Sequence, residues 1–241
     1  MSPPPVIFNP NPRIQSIPLP EGKQCLVIDD ALLNPEVLVQ LAVDEYRWFE
    51  PPVSGAYPGL QLPLNDYLGG SLGEFFLRYA RTPLGARKLR LTNCRLTLVT
   101  VPPEQLTVQQ RLCHRDGVAL KDEFSLCASV LYLFNDPSLG GTNLYWPKKS
   151  KAEITALVRA VNTMTDAEFC QIYPVPNGYF TESNEYFEKI CSVEPKWNRM
   201  VMYDGNIFHS GNIVHPEKMT ADPRTGRLTL NGFFTCTRRA V

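Results

Sequence analysis

Twenty-two prolines are spread along the 241 residues. Each fixes φ and removes a backbone donor, so long uninterrupted helices are excluded over most of the chain, and many short elements are favoured. The first twenty residues, rich in proline and asparagine, read as an irregular arm. Helical signals are few. Asn34-Pro35 opens a run with Val37, Leu38, Leu41 and Ala42 that ends near Trp48, with Asn34 as a cap and Pro35 in the first turn. Residues 71–80 read as a second amphipathic helix. Residues 151–161 and 166–172 read as helices inside an insertion that spans 148–185. Strand signals are more numerous: 24–28, 89–101, 124–134, 142–146, 186–193, 199–203 and 227–237. Helices come early and strands late, without βαβ alternation. The expected fold is an all-β core with helical decorations, an antiparallel double sheet of the jelly-roll type (a double-stranded β-helix). With no repeat and no low-complexity linker, one domain over 1–241 is expected.

Charge and cysteine content narrow the function. Twenty-four basic residues balance twenty-four acidic ones. Net zero argues against a nucleic-acid partner, whose affinity rests on phosphate neutralisation, and against a polybasic membrane anchor. No run of eighteen apolar residues is present, and Met-Ser-Pro-Pro-Pro-Val lacks the basic start and apolar block of a signal peptide. The seven cysteines are scattered singly. Cys25, Cys94, Cys127 and Cys236 lie in apolar strand-like runs, which suggests buried, reduced thiols and a cytoplasmic protein. The expected partner is a small-molecule or peptide substrate; the sequence is silent on oligomeric state.

Three features carry chemistry. In His114-Arg115-Asp116, an extended backbone would point the imidazole and the carboxylate to one face; the plain alternative is a surface turn closed by Asp116-Gly117. His209 follows the apolar strand 199–203 and its turn, among Ile207, Phe208, Ser210 and Gly211, where a hydrogen-bonded core histidine is the competing reading. Arg227 and Thr229 share one face of the last strand. An inward arginine there needs an anion, and a carboxylate held bidentately, with the threonine hydroxyl adding a bond, is the natural partner; an edge-strand arginine facing water is the alternative. Two imidazoles and one carboxylate form a facial triad that leaves three positions open on an octahedral metal.

This order of residues resembles the Fe(II)/2-oxoglutarate-dependent oxygenases, in particular the prolyl-4-hydroxylase-like branch, over roughly residues 89–237. The motifs are HRD at 114–116, GGTNLYW at 140–146, NRMVMYDGNIFHSG at 198–211 and GRLTLNGFF at 226–234. The last three also resemble a bacterial family of putative oxygenases, domain of unknown function 6445. The resemblance implies His114, Asp116 and His209 as ligands of Fe(II), and Arg227, Thr229 and Tyr132 as the residues that hold 2-oxoglutarate. It implies hydroxylation of a peptide side chain or small metabolite with release of succinate and CO2. Asp116 stands where related halogenases carry a small residue, which favours hydroxylation. Two points depart from the pattern. Arg227 lies further from His209 than in many relatives, which leaves His215 as an alternative ligand, although it precedes Pro216 in a polar turn. The 148–185 insertion has no generic counterpart, and either walls the site or forms a surface ornament. A cupin-like metal enzyme without 2-oxoglutarate and a non-catalytic jelly-roll binding module are the rival functions.

Overall fold

Successive side chains of a strand point to opposite faces, and that alternation sets the layers. The computed structural model describes residues 4–53, 55–116 and 123–237. Among these, ten strands form two antiparallel sheets. The larger has the order β1-β2-β8-β5-β10-β4-β3. These strands are β1 (Arg13–Pro18), β2 (Gln24–Asp29), β3 (Gly59–Pro63), β4 (Leu89–Val99), β5 (Phe124–Tyr132), β8 (Met200–Asp204) and β10 (Leu228–Thr237). The smaller sheet is β7-β6-β9, with β6 at Thr142–Pro147, β7 at Phe187–Val193 and β9 at Phe208–Gly211.

The large sheet divides its side chains by parity. Leu96, Leu131, Met202, Leu230 and Phe234 face a core shared with helix α1 (Glu36–Asp44) and helix α2 (Asp66–Tyr79). Phe76 of α2 stacks on Phe234 of β10, with ring centroids 4.2 Å apart and planes within 12°. Ala128, Tyr132, Val201 and Tyr203 point the other way and pack against Leu144 and Val193 of the small sheet. A third core lies on the small sheet's outer face. There Tyr145, Phe187 and Phe208 meet Ile154 and Leu157 of α3 (Lys151–Thr163) and Phe169 of α4 (Asp166–Ile172).

Several expectations need correction. The arm at 1–20 is not irregular throughout, because residues 13–18 form β1, paired with β2. β1 and β3 are the two edges of the large sheet, where proline at a strand end costs no ladder bond; Pro18 and Pro63 sit at those ends. Asn34 does not cap α1. Its side chain instead accepts from the Ile7 N–H and donates to the Pro5 carbonyl, tying down the chain's start. Helix α2 begins at Asp66 rather than residue 71, capped by Asn65, whose side chain accepts from the Leu68 N–H. Gly69 and Gly70 look like breakers in sequence. Gly73, however, lies so close to β4 that a Cβ there would be 2.7 Å from Thr92 Oγ1, so small residues let the helix reach the sheet. The residues of 148–185 do form α3 and α4, and these helices cover the back of the small sheet.

The Phe76–Phe234 stack is the centre of the helix-side core, and both rings are fully buried. Phe76→Ala is expected to lower unfolding free energy by about 3–5 kcal/mol in a denaturant titration.

Candidate metal centre

His209 occupies an inward position of β9. Its register partner on β6 is Leu144, which faces the large sheet, whereas Phe208 and Ser210 on either side face the α3–α4 layer. His114 lies opposite His209 as an isolated antiparallel bridge. The two exchange both backbone bonds, His114 N–H to His209 O at 3.0 Å and His209 N–H to His114 O at 2.9 Å. Such a pair places both side chains on the same face; the ring centroids are 4.3 Å apart. Asp116 is brought in by its own N–H, which donates to the Gly205 carbonyl at 2.9 Å. Gly205 allows this approach, since a Cβ there would lie 3.0 Å from the Leu126 carbonyl oxygen and 3.4 Å from Asp116 Cβ.

The donor atoms converge. His209 Nε2 is 3.4 Å from Asp116 Oδ2, and His114 Nε2 is 3.7 Å from Asp116 Oδ1. One ligand atom from each residue fits within a mutual distance of 4.8 Å. His209 Nδ1 lies 3.0 Å from the Ile207 carbonyl, which fixes the proton on that nitrogen and turns the Nε2 lone pair toward Asp116. Asp116 Oδ2 is buried and has no hydrogen-bond partner among the described residues. A buried carboxylate oxygen facing an imidazole lone pair is unfavourable without a cation between them; the residues present therefore fit a metal ion. Crowding by protein and repulsion from His209 push the His114 imidazole down to about 4, with Asp116 opposing. Since 53% of that side chain is open to solvent, the direction matters more than the extent: the ring is neutral at pH 7 and keeps its lone pair. His215 is elsewhere, exposed, with Nδ1 3.1 Å from Glu217.

The large sheet supplies a second charged group. Leu228 and Leu230 face the helices, so Arg227 and Thr229 face the small sheet. Arg227 is 4% exposed, yet no carboxylate pairs with it among the described residues. Its Nε donates to the Gly140 carbonyl at 3.0 Å and its Nη2 to the Gly141 carbonyl at 2.8 Å. Carbonyl dipoles orient the guanidinium without neutralising it, which fits a site for an anion. The Thr229 hydroxyl lies 2.7 Å from the Thr97 hydroxyl and donates to Asn231 Oδ1 at 2.9 Å. Tyr132 is fully buried and donates to Thr142 Oγ1 at 2.8 Å. Burial raises its phenol, with Thr142 and Arg227 pulling the other way. A hollow of about 690 Å³ lined by Lys23, Ser125, Lys151 and Asp204 contains none of these residues.

The model of the family of unknown function DUF6445 matches residues 10–234. The chain belongs to this family. No curated protein matches the sequence. Similar solved structures include the epimerase SnoN in complex with Fe3+, alpha ketoglutarate and nogalamycin RO, at 11% identity over 89% of this chain and 81% of that one, with a TM-score of 0.47. They include EvdO2 from Micromonospora carbonacea var. aurantiaca, at 12% identity over 90% and 88%, TM-score 0.44. HygX from Streptomyces hygroscopicus with nickel and 2-oxoglutarate bound is similar at 11% identity over 89% and 83%, TM-score 0.39.

The DUF6445 chain also brings residues to this face that motif reading passed over. Tyr57, from the loop before β3, has a buried hydroxyl that faces Thr97. Burial raises its phenol, against pulls that include Arg227 and Arg95. The one signal for Arg95 and Thr97 in the sequence is that Arg-Leu-Thr-Leu occurs twice, at 95–98 and 227–230.

The carbonyls that hold Arg227 depend on two glycines. Gly140 has φ +84°, and a Cβ there would lie 2.0 Å from the Asn212 oxygen; at Gly141 it would lie 1.9 Å from the Val193 oxygen. Gly141→Ala is expected to destabilise the fold by about 1–3 kcal/mol in thermal or chemical unfolding, as overpacking against backbone does.

Proposed function

We propose that this chain is an Fe(II)- and 2-oxoglutarate-dependent dioxygenase on a double-stranded β-helix, hydroxylating a peptide side chain or small metabolite. The observation that carries this is the pairing of a two-imidazole, one-carboxylate cluster with a buried guanidinium on the facing sheet that has no carboxylate partner among the described residues. The first suits a cation and the second an anion. The packing supports the fold: β2, β5 and β8 of the large sheet pack against β6 and β7 of the small one, and His114 extends the small sheet beyond β9.

His114, Asp116 and His209 would hold the iron, with Ile207 fixing the His209 tautomer. Arg227 would take the distal carboxylate of 2-oxoglutarate, and Thr229 would add a hydroxyl by turning from Asn231. Bound together, the metal and keto-acid supply the oxidising chemistry, consuming O2 and yielding succinate and CO2. The protein's part is to fix these groups, and Tyr132, Tyr203 and Leu144 beside them exclude water. Asp116 fills a position that chloride would need in a halogenase, which supports hydroxylation. The free cysteines fit a reducing, cytoplasmic setting, and no helix among the described residues is long and apolar enough to cross a membrane.

Anaerobic addition of Fe(II) and then 2-oxoglutarate is expected to produce the visible charge-transfer band of the chelate. His209→Ala or Asp116→Ala should abolish it in protein that still unfolds cooperatively. Absence of the band in folded wild-type protein would end this reading. Arg227→Met should leave Fe(II) binding intact and weaken 2-oxoglutarate by about 2–5 kcal/mol, seen as a rise in its Kd by titration of the same band.

A further inference from the structure

The repeated Arg-Leu-Thr-Leu places two arginines about one centre. Thr97 of β4 and Thr229 of β10 are register partners in antiparallel strands, and their hydroxyls touch at 2.7 Å. Arg95 and Arg227 each stand two residues before their threonine, on the same face of the sheet. Antiparallel direction sends them to opposite sides of the threonine pair, roughly 13 Å apart along the strands at about 3.3 Å per residue. Arg227 is deeply buried and held by backbone carbonyls. Arg95 is half-buried, nearer the sheet edge formed by β3.

Arg95 is held in place but not neutralised. Its Nη1 donates to Gln61 Oε1 at 2.8 Å, and its guanidinium lies over the Phe233 ring at 4.5 Å from the centroid. Nε and Nη2 have no hydrogen-bond partner, and no carboxylate pairs with it, among the described residues. Phe233 packs on the inter-sheet core that holds Leu144 and Tyr203, and the Tyr203 ring lies 4.8 Å from that of His209, so Arg95 stands on the triad's side of the large sheet. A guanidinium fixed by a side-chain amide and an aromatic face, with two donors uncommitted, matches a planar carboxylate. It is a single cation, whereas a phosphate dianion is better matched by several. The Phe233 ring gives the same spot an apolar wall.

We propose that Arg95, positioned by Gln61 and Phe233, binds a carboxylate of the substrate, so that the substrate is a small carboxylic acid or a peptide presenting one beside an apolar group. This rests on the dioxygenase reading, in which Arg227 is already taken by 2-oxoglutarate.

Phenylacetate and phenylacetamide, alike in shape and different in charge, are suitable probes. Each is titrated calorimetrically into the anaerobic protein saturated with Fe(II) and 2-oxoglutarate, and separately into metal-free protein. Phenylacetate is expected to bind at least tenfold more tightly than the amide. Arg95→Met should erase that preference and leave the Kd for 2-oxoglutarate unchanged, while Arg95→Lys should retain part of it. Arg227→Met should do the reverse, weakening 2-oxoglutarate and sparing the preference. Equal binding of acid and amide to the wild type overturns the proposal. So does a raised 2-oxoglutarate Kd in Arg95→Met, which would assign Arg95 to the cosubstrate, or inorganic phosphate binding more tightly than phenylacetate. If Arg95→Met fails to fold, Arg95→Gln is read in its place. Should the chelate band never form while metal-free protein still prefers the acid through Arg95, the dioxygenase reading falls and the carboxylate site stands.

Discussion

The reciprocal backbone bonds between His114 and His209 are the contact on which the rest of the site depends. They join segments far apart in sequence and determine, by antiparallel geometry alone, that two imidazoles lie side by side. The third donor is placed in the same manner, through the Asp116 N–H on the Gly205 carbonyl. All three side chains are short, and each of the three residues is anchored by a hydrogen bond of its own main chain. A cluster held through the main chain in this way suits a preorganised metal centre. The small sheet exists, in effect, to present that bridge to the interior.

Two charges in the interior lack opposite partners. Asp116 offers a buried oxygen with no donor, and Arg227 a buried guanidinium with no carboxylate. The protein does not pair them with each other. Arg227 is held instead by the Gly140 and Gly141 carbonyls, at the cost of two positions where no side chain fits. A sandwich that served only as a scaffold would gain stability by replacing either group with an apolar one, since unpaired buried charge is expensive. Keeping both apart, one as an anion and one as a cation, is the arrangement expected of a site that receives a cation and an anion from outside.

The inner parts of this fold were legible in the sequence and its margins were not. β4, β5, β8 and β10 are long or strongly apolar because they are covered on both faces, so periodicity finds them within a residue or two. β1 and β3 are edge strands; β1 is exposed along most of its length, and β3 lies between prolines, so neither carries much alternation. The start of α2 was hidden by Gly69 and Gly70, of which Gly69 packs against the Thr92 carbonyl. Among site residues, the spacing of HxD and the later His pointed to three side chains that lie together, His114, Asp116 and His209. Tyr57 and Arg95 gave no such sign, because each reaches the cavity from outside the motif, one by a loop and one by register with β10.

Layering also decides from which side the site is open. α1 and α2 close the outer face of the large sheet, and α3 and α4 close the outer face of the small one. The chain following α4 returns inward, where the Phe180 and Thr181 carbonyls accept from Ser210 and Asn143 and seal the region behind β9. His209 is accordingly almost inaccessible, with 8% of its side chain exposed against 53% for His114. Among the described residues, His114 is thus the member of the triad that solvent reaches. On the large sheet the uncommitted Arg95 guanidinium lies over Phe233, which packs on the same inter-sheet core as Leu144 and Tyr203, so it stands on the triad's side of that sheet.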